Sequence, residues 1–188
     1  MVAESRRFDT DPQELRAMAH PLRQALLGHL LAAGVQTASE CAAAVGSTPS
    51  NCSWHLRYLS RFGLVEAVPG SSDDGRERPW RVMATGFSDR VDESTPAGRG
   101  ARRAMAEARL VEEDRLIRHY LDVREQLPSK WRGIEAVADY ELRLTPAEAE
   151  RIVQQMDALV RPFIAPTSDG APRGSDVVHV SFRAFKRP

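Results

Sequence analysis

The sequence predicts a mainly α-helical protein with a small amount of β structure (α+β). It divides into an N-terminal unit of short helices with a hairpin, a long helix, and a C-terminal strand-helix-strand unit. Three observations support this prediction. Residues 37–63 carry the start and stop signals of two short helices. Residues 64–83 hold two short apolar segments around a polar, turn-forming stretch. Residues 100–127 have the apolar spacing of one long helix.

Two further helices are predicted upstream of that pair, over residues 11–18 and 21–31. The second has four leucines at helical spacing that we expect to face the core: Leu22, Leu26, Leu27 and Leu30. His20 directly precedes Pro21, and proline favours the first position of a helix. We therefore expect this imidazole to cap or pack rather than to bind a metal.

The central pair of helices is defined by its ends. Thr37 and Glu40 stand at the spacing of a capping box, and Gly46 supplies the left-handed backbone that ends the first helix. Thr48 then caps a second helix with Pro49 at its first position. The apolar positions of the first helix are Ala38, Cys41, Ala42 and Val45. The spacing predicts two short helices joined by a tight turn.

The second helix of the pair, predicted over residues 48–62, has two chemically different sides. Its packed side is predicted to hold Cys52, Leu56, Leu59 and Gly63, with His55 in a structural position at the border. The opposite side collects Ser50, Trp54, Arg57 and Arg61, with Ser53 at its edge. Hydroxyls and guanidiniums are groups that read base edges in a DNA major groove. The alternative is an ordinary helical pair with a solvated outer face.

A hairpin is predicted directly after the helix pair, with strands over residues 64–68 and 79–83 and a polar connection, PGSSDDGRER. A helix-turn-helix followed by such a hairpin is a winged helix. Three arginines would point from the wing toward a phosphate or minor groove: Arg76, Arg78 and Arg81. An ordinary solvated hairpin is the alternative, since three acidic residues offset this charge: Asp73, Asp74 and Glu77.

Two segments, LRAMAHPLRQALLGHL (residues 15–30) and SWHLRYLSRFGLV (residues 53–65), resemble the ArsR-type winged helix-turn-helix family of bacterial transcription regulators. The resemblance extends from Leu15 to about Met83. It implies a homodimeric DNA-binding protein, mostly a repressor, that binds a near-palindromic operator. Trp54 departs from the smaller or imidazole side chain usual at its position. With the residue chemistry above, the candidate DNA-binding residues are Thr48, Ser50, Asn51, Ser53, Trp54, Arg57, Arg61, Arg76 and Arg78.

Members of that family often sense metals, but the ligands here are poorly placed for it. Cys41 and Cys52 occupy the apolar sides of their helices, where cysteine behaves as a small hydrophobe. His119 and Asp122 stand one turn apart without a second such pair. We therefore expect no metal site and no cofactor. A metal- or thiol-responsive sensor, the latter through oxidation of the two cysteines, remains an alternative.

The C-terminal part is predicted to dimerise the protein through the helix around residues 100–127, because so long a helix needs a partner surface for its apolar strips. Packing on its own subunit is the alternative. Strands are predicted over residues 140–144 and 177–185, with a capped helix between them that begins at Thr145. Aromatic side chains here suggest a candidate pocket for a small-molecule effector of unknown identity, with core packing as the simpler explanation: Tyr120, Trp131 and Tyr140. The predicted domains are residues 1–85 for DNA binding, a linker over 86–98, and residues 99–188 for dimerisation.

Composition restricts the function classes. The 26 basic and 26 acidic residues balance, so affinity for double-stranded DNA must come from locally placed arginines. There is no phosphate-binding glycine loop, nucleophile elbow or plausible carboxylate pair, so we expect no enzyme. No membrane-spanning or signal segment is evident, which predicts a cytoplasmic protein. The rival from another class is a non-catalytic winged-helix module that binds protein.

Overall fold

Six α-helices and one two-stranded sheet form the regular structure of the described residues in the computed structural model, which covers residues 11–69, 78–83, 91–136, 138–164 and 172–187. The helices are α1 (Pro12–Met18), α2 (Pro21–Ala33), α3 (Ala38–Val45), α4 (Pro49–Ser60), α5 (Pro96–Val123) and α6 (Pro146–Val160). The strands are β1 (Val65–Ala67) and β2 (Trp80–Val82). Short 3-10 turns follow α5 and α6 at Arg124–Gln126, Ser129–Trp131 and Arg161–Phe163.

Helices α2, α3 and α4 begin at the caps that the sequence predicts. His20 Nδ1 accepts the Leu22 N–H at 3.1 Å and so caps α2, as expected for this imidazole. Both hydrogen bonds of the capping box between Thr37 and Glu40 are present at the start of α3. Gly46 has φ +67°, which places it in the left-handed region that ends α3.

The core of the N-terminal unit is built by α1–α4, both strands and the first half of α5. Its largest fully buried side chains are Leu15, Met18, Leu26, Leu30, Leu56, Leu59, Leu64 and Met105. Helix α5 begins at Pro96, four residues before its predicted start at Gly100. Ala101, Met105 and Ala108 are buried where α5 packs on α1 and α2. The first half of α5 therefore shares one core with the helix pair.

The two strands pair antiparallel, with Val65 opposite Val82 and Glu66 opposite Arg81. Both predicted strands are confirmed, shortened to three residues each. Gln36 adds a single bridge to the outer side of β2, through two backbone hydrogen bonds with Trp80 of 2.7 and 3.0 Å. This bridge connects the sheet to the segment that precedes α3. The predicted wing tip, including Arg76, lies outside the described residues.

The C-terminal part differs from its prediction in one respect. Helix α6 is present, with the predicted capping box at Thr145. The segments predicted as strands, over residues 140–144 and 177–185, pair with no other segment among the described residues. Their alternating side chains are exposed, for example Leu142 at 59% and Val178 at 60%. A strand requires a neighbour for its backbone N–H and C=O groups, and none of the described residues provides one for these two segments. The strand predictions are therefore wrong for the chain on its own.

Among the described residues, no helix combines the length and the apolar character that crossing a lipid bilayer requires.

Candidate nucleic-acid interface

Helices α3 and α4 are held at a fixed angle by a short turn and a shared buried surface. The Ser47 N–H donates to the Ala42 carbonyl at 3.0 Å, which closes the end of α3. The Thr48 hydroxyl accepts the Asn51 N–H at 3.3 Å and so caps the start of α4. Cys41 of α3 and Cys52 of α4 are both fully buried. The sequence-predicted helix-turn-helix is therefore present, with its geometry determined by caps and by packing.

Helix α4 has the two sides that its sequence predicts. Cys52, Leu56 and Leu59 are fully buried and His55 is 6% exposed. The opposite side carries five exposed residues and one half-buried residue: Ser50, Asn51, Trp54, Arg57 and Arg61, with Ser53 at the edge. Thr48, at the N-cap, is exposed as well. The structure thus brings all seven candidate residues of α4 and its flanks onto one accessible surface, which we call the outer face of α4.

Hydrogen bonds restrict the polar side chains at the start of this face. Asn51 Nδ2 donates to Ser47 Oγ at 3.1 Å, while its side-chain oxygen remains an acceptor. The hydroxyls of Thr48 and Ser50 lie 3.3 Å apart. These contacts orient short donors and acceptors around the N-terminal turn of α4. That end of a helix is the one that usually reaches base edges in a major groove.

The two arginines of the outer face have no ion-pair partner among the described residues. Arg57 and Arg61 are exposed, and no carboxylate of the described residues lies within ion-pair distance of either. By contrast, Arg81 pairs with Glu66 on the adjacent strand. The strand register places Arg81 opposite this carboxylate, which offsets its charge, and a contact of Arg81 with DNA remains a prediction. Arg78 is exposed at the start of the second wing strand.

A row of aromatic side chains runs along α4 and is missing from the sequence-based description of the site. Trp54 and Tyr58 stack with ring centroids 5.7 Å apart and an interplanar angle of 13°. Tyr58 also contacts Phe62, at 5.4 Å between centroids. Spacing of four residues puts these rings on one side of a helix, and this signal was available from the sequence. Trp54 ends the row and is 55% exposed.

Two histidines and an arginine pack beneath this row. The rings of His20 and His55 lie 4.7 Å apart, and the Arg23 guanidinium carbon lies 4.9 Å from the Tyr58 ring centroid. Burial, with the nearby His20 and Arg23, lowers the pKa of His55 to about 4. Burial and Arg23 also lower the pKa of His20. Both imidazoles are therefore neutral at pH 7 and serve packing, as the sequence predicts for them.

Neither cysteine has the setting of a reactive thiol. Burial, with smaller contributions from Cys52 and Glu40, raises the pKa of Cys41 to about 11, and burial also raises the pKa of Cys52. The thiolate is the form that reacts with oxidants and binds metals, and it is disfavoured in both residues. His119 and Asp122 are exposed on α5. No group of three or more potential metal ligands occurs among the described residues.

The three aromatic residues of the candidate effector pocket are not brought together as a closed site. Tyr120 and Trp131 are partly buried, whereas Tyr140 is 77% exposed. Within the described part of the chain, no ring contact joins any two of them. A pocket lined by these rings remains a prediction.

The fold and the outer face of α4 define a winged helix-turn-helix protein. Residues 18–68 match a protein family described as a helix-turn-helix domain. The chain is also 32% identical to a protein described as a possible transcriptional regulator for arsenical resistance. That comparison covers 56% of this chain and 94% of the other, with a TM-score of 0.32. The match over residues 18–68 agrees with the fold and supports a DNA-binding helix-turn-helix regulator.

More distant structures contribute nothing further. The zinc-responsive MarR family member ZitR of Lactococcus lactis is 18% identical, over 85% of this chain and 80% of that one, with a TM-score of 0.27. RV1404 from Mycobacterium tuberculosis is 19% identical, over 85% and 77% of the two chains, with a TM-score of 0.26. Such low identities and TM-scores carry no argument about this chain. A comparison with curated proteins finds no match.

Proposed function

We propose that this DNA-binding transcription regulator is a homodimeric repressor that reads a near-palindromic operator through the outer face of α4. One observation carries the proposal. Arg57 and Arg61 are exposed on the side of α4 opposite its buried residues, and no described carboxylate pairs with them. Unpaired guanidiniums on a presented helix are suited to guanine edges and phosphates.

The roles of the site residues follow from their positions on α4. Residues near its N-terminal and central turns face the bases: Ser50, Asn51, Ser53, Trp54 and Arg57. Arg61 lies at the far end, where a recognition helix approaches the phosphate backbone, and Thr48 lies at the N-cap. Arg76 and Arg78 belong to the wing, which would reach a flanking phosphate or minor groove.

Dimerisation is proposed through the second half of α5. The first half of α5 is buried in the core that it shares with α1–α4. We therefore propose residues 99–188 as the part of the chain that serves dimerisation, and not as a unit with a core of its own. Beyond Ala108, the apolar residues Leu110, Ile117 and Leu121 are each at least half exposed. Two such surfaces related by a two-fold axis would place the α4 helices in successive major grooves, about 10 base pairs apart.

A protein-binding module is the competing function, and the composition of the outer face disfavours it. A protein-binding surface is depleted in charge at its centre and rich in apolar contacts. The outer face of α4 has one large apolar side chain, Trp54, among hydroxyls, an amide and two guanidiniums.

The test compares two arginine variants in the full-length protein. Arg57→Ala removes an outer-face guanidinium, while Arg151→Ala removes an exposed guanidinium from α6 as a matched control. Binding to duplexes from the promoter region of the protein's own gene is measured by fluorescence anisotropy at several salt concentrations. We expect Arg57→Ala to weaken binding by about 5- to 150-fold for each half-site, the range for losing one base-reading contact, and a homodimer loses two such contacts. Arg61→Ala should lower the salt slope by about two units, one for each subunit of the dimer.

All three variants should keep the wild-type circular dichroism and melting temperature, because each of the three side chains is exposed. Equal binding by Arg57→Ala and wild type, or equal losses in Arg57→Ala and Arg151→Ala, would refute the proposed interface. The repressor assignment is tested separately by transcription from the same promoter with and without the protein.

A further inference from the structure

We infer that Trp54 reads thymine, through contact of its indole with the C5 methyl group in the major groove. The operator of this chain would then carry a thymine at one fixed position in each half-site. This inference rests on the proposed function and specifies which base one residue of the outer face selects.

The exposure of Trp54 is the first observation. It is the one large apolar side chain of α4 that is exposed, at 55%, while the other apolar residues of the helix pack inward. Its neighbours one turn away on the outer face are hydroxyl and guanidinium groups, namely Ser50 and Arg57. An exposed indole lacks, in the free protein, the favourable free energy of burying its apolar surface. Contact with an apolar group on DNA would bury part of that surface.

The second observation is that the indole is held in place without DNA. One contact is the stacked Tyr58 ring, and another is the edge of His55, with centroids 4.7 Å apart and an interplanar angle of 88°. Tyr58 itself contacts Phe62 and the Arg23 guanidinium. A side chain that is already ordered loses little conformational entropy on binding. The rest of the indole surface therefore faces outward in a defined orientation.

The chemistry of the groove selects the base. Thymine is the one base that presents a methyl group in the major groove, whereas cytosine presents an amino group and the purines present N7 and O6 or N6. An apolar ring pressed against those polar edges would remove water from them without replacing its hydrogen bonds. The same ring against a methyl group buries apolar surface on both sides. Trp54 therefore favours thymine over the other three bases at its position.

The experiment removes only the methyl group. An operator duplex is first selected from a randomised pool with the full-length wild-type protein, and each thymidine is then replaced in turn by deoxyuridine. We expect one thymine per half-site at which the change weakens binding about fourfold, the effect of one buried methyl group. Replacing both symmetry-related thymines should cost about fifteenfold, since distant sites add. At the same position, 5-methylcytosine should bind more tightly than cytosine.

Two protein variants complete the test. Trp54→Ala should bind the operator more weakly and should respond equally to thymine and uracil, which controls for any effect of uracil on DNA shape. Arg151→Ala, which changes an exposed residue of α6, should keep the wild-type discrimination between thymine and uracil. Circular dichroism verifies that both variants fold.

Two kinds of failure are distinguishable. If selection recovers no preferred duplex, the proposed function itself fails. If an operator is recovered but uracil is tolerated at every position, or Trp54→Ala discriminates as wild type does, the thymine inference is overturned while the proposed function stands. If Trp54 makes binding sensitive to 7-deazapurine substitution and not to uracil substitution, its indole N–H would be assigned to a purine N7. That result would also overturn the thymine inference.

Discussion

Acidification should destabilise the N-terminal unit through His55, which is 6% exposed on the packed side of α4. Its pKa is lowered to about 4 by burial and by the neighbouring His20 and Arg23. In the unfolded chain an imidazole titrates near pH 6.5. Between these two values the unfolded state binds more protons than the folded state. The contribution of neutral His55 is therefore complete above about pH 6.5 and is lost as the pH falls toward 4.

The size of the effect follows from the two pKa values. The difference between an ordinary imidazole and one with a pKa of about 4 corresponds to roughly 3 kcal/mol once His55 is fully protonated. About 2 kcal/mol of this is lost between pH 7 and pH 5. The cause is visible in the structure, since His55 Nδ1 is buried without a hydrogen-bond partner among the described residues and a positive charge there would be repelled by Arg23.

Urea unfolding at pH 7, 6 and 5, followed by circular dichroism, measures the effect. His55→Leu takes up no proton and should lose about 2 kcal/mol less than wild type over this range. His119→Gln, at an exposed position of α5, is the matched control and should follow wild type. Titrating carboxylates affect all three proteins alike, so the difference isolates His55. Parallel stability curves for wild type and His55→Leu would refute the reasoning.

Three further outcomes are expected. Gly98→Ala should destabilise the protein by about 1–3 kcal/mol, because a Cβ there would clash with the Asp92 carbonyl oxygen. Gly28→Ala should instead stabilise α2 by about 0.5–1 kcal/mol, because a Cβ there meets open space. Urea unfolding of both variants gives the two signs. Met105→Ala should cost about 2–5 kcal/mol if the first half of α5 belongs to the core, and a loss under 1 kcal/mol would contradict this placement. The two buried cysteines should react with a thiol reagent orders of magnitude more slowly in the folded than in the urea-unfolded protein, and rapid reaction of the folded protein would contradict their protonated, buried state.

The helix-turn-helix was predictable because its signals are local. A capping box, a left-handed glycine and a proline at the first helical position each act within four residues, so Thr37, Gly46 and Pro49 predict the helix ends without knowledge of the rest of the fold. The two sides of α4 were predictable for the same reason. Periodicity separates buried from exposed positions wherever one side of a helix packs on a core.

The start of α5 shows how a local signal was overlooked. Thr95 caps the helix and Pro96 follows it, which is the same pattern that correctly predicts α6 at Thr145 and Pro146. Gly98, the last residue of the predicted linker, lies in the first turn of this helix. The structure shows why glycine occupies this position, since the approach of the Asp92 carbonyl leaves no space for a side chain. Tertiary contact, rather than helix propensity, explains this residue.

Contacts between distant segments were beyond the sequence. The bridge from Gln36 to Trp80 joins residues 44 positions apart through backbone atoms alone, so no side-chain pattern announces it. The contact between the rings of His20 and His55 likewise joins distant positions, and no local pattern in the sequence predicts it. Pairing of Arg81 with Glu66 could have been anticipated, because both lie in the predicted strands and opposite charges stabilise cross-strand pairs.

The incorrect strand predictions lead back to dimerisation. Periodicity predicts that one side of a segment is buried, but it does not tell which chain supplies the covering surface. In α1–α4 the apolar positions are covered by the same chain, whereas beyond the middle of α5 they are exposed together, including Ile117, Leu142, Leu159 and Val180. A 15-residue helix such as α6 is marginal alone in water and depends on packing of its apolar side. A second copy of the chain would provide that packing for α6 and a neighbour for the two segments that are unpaired among the described residues.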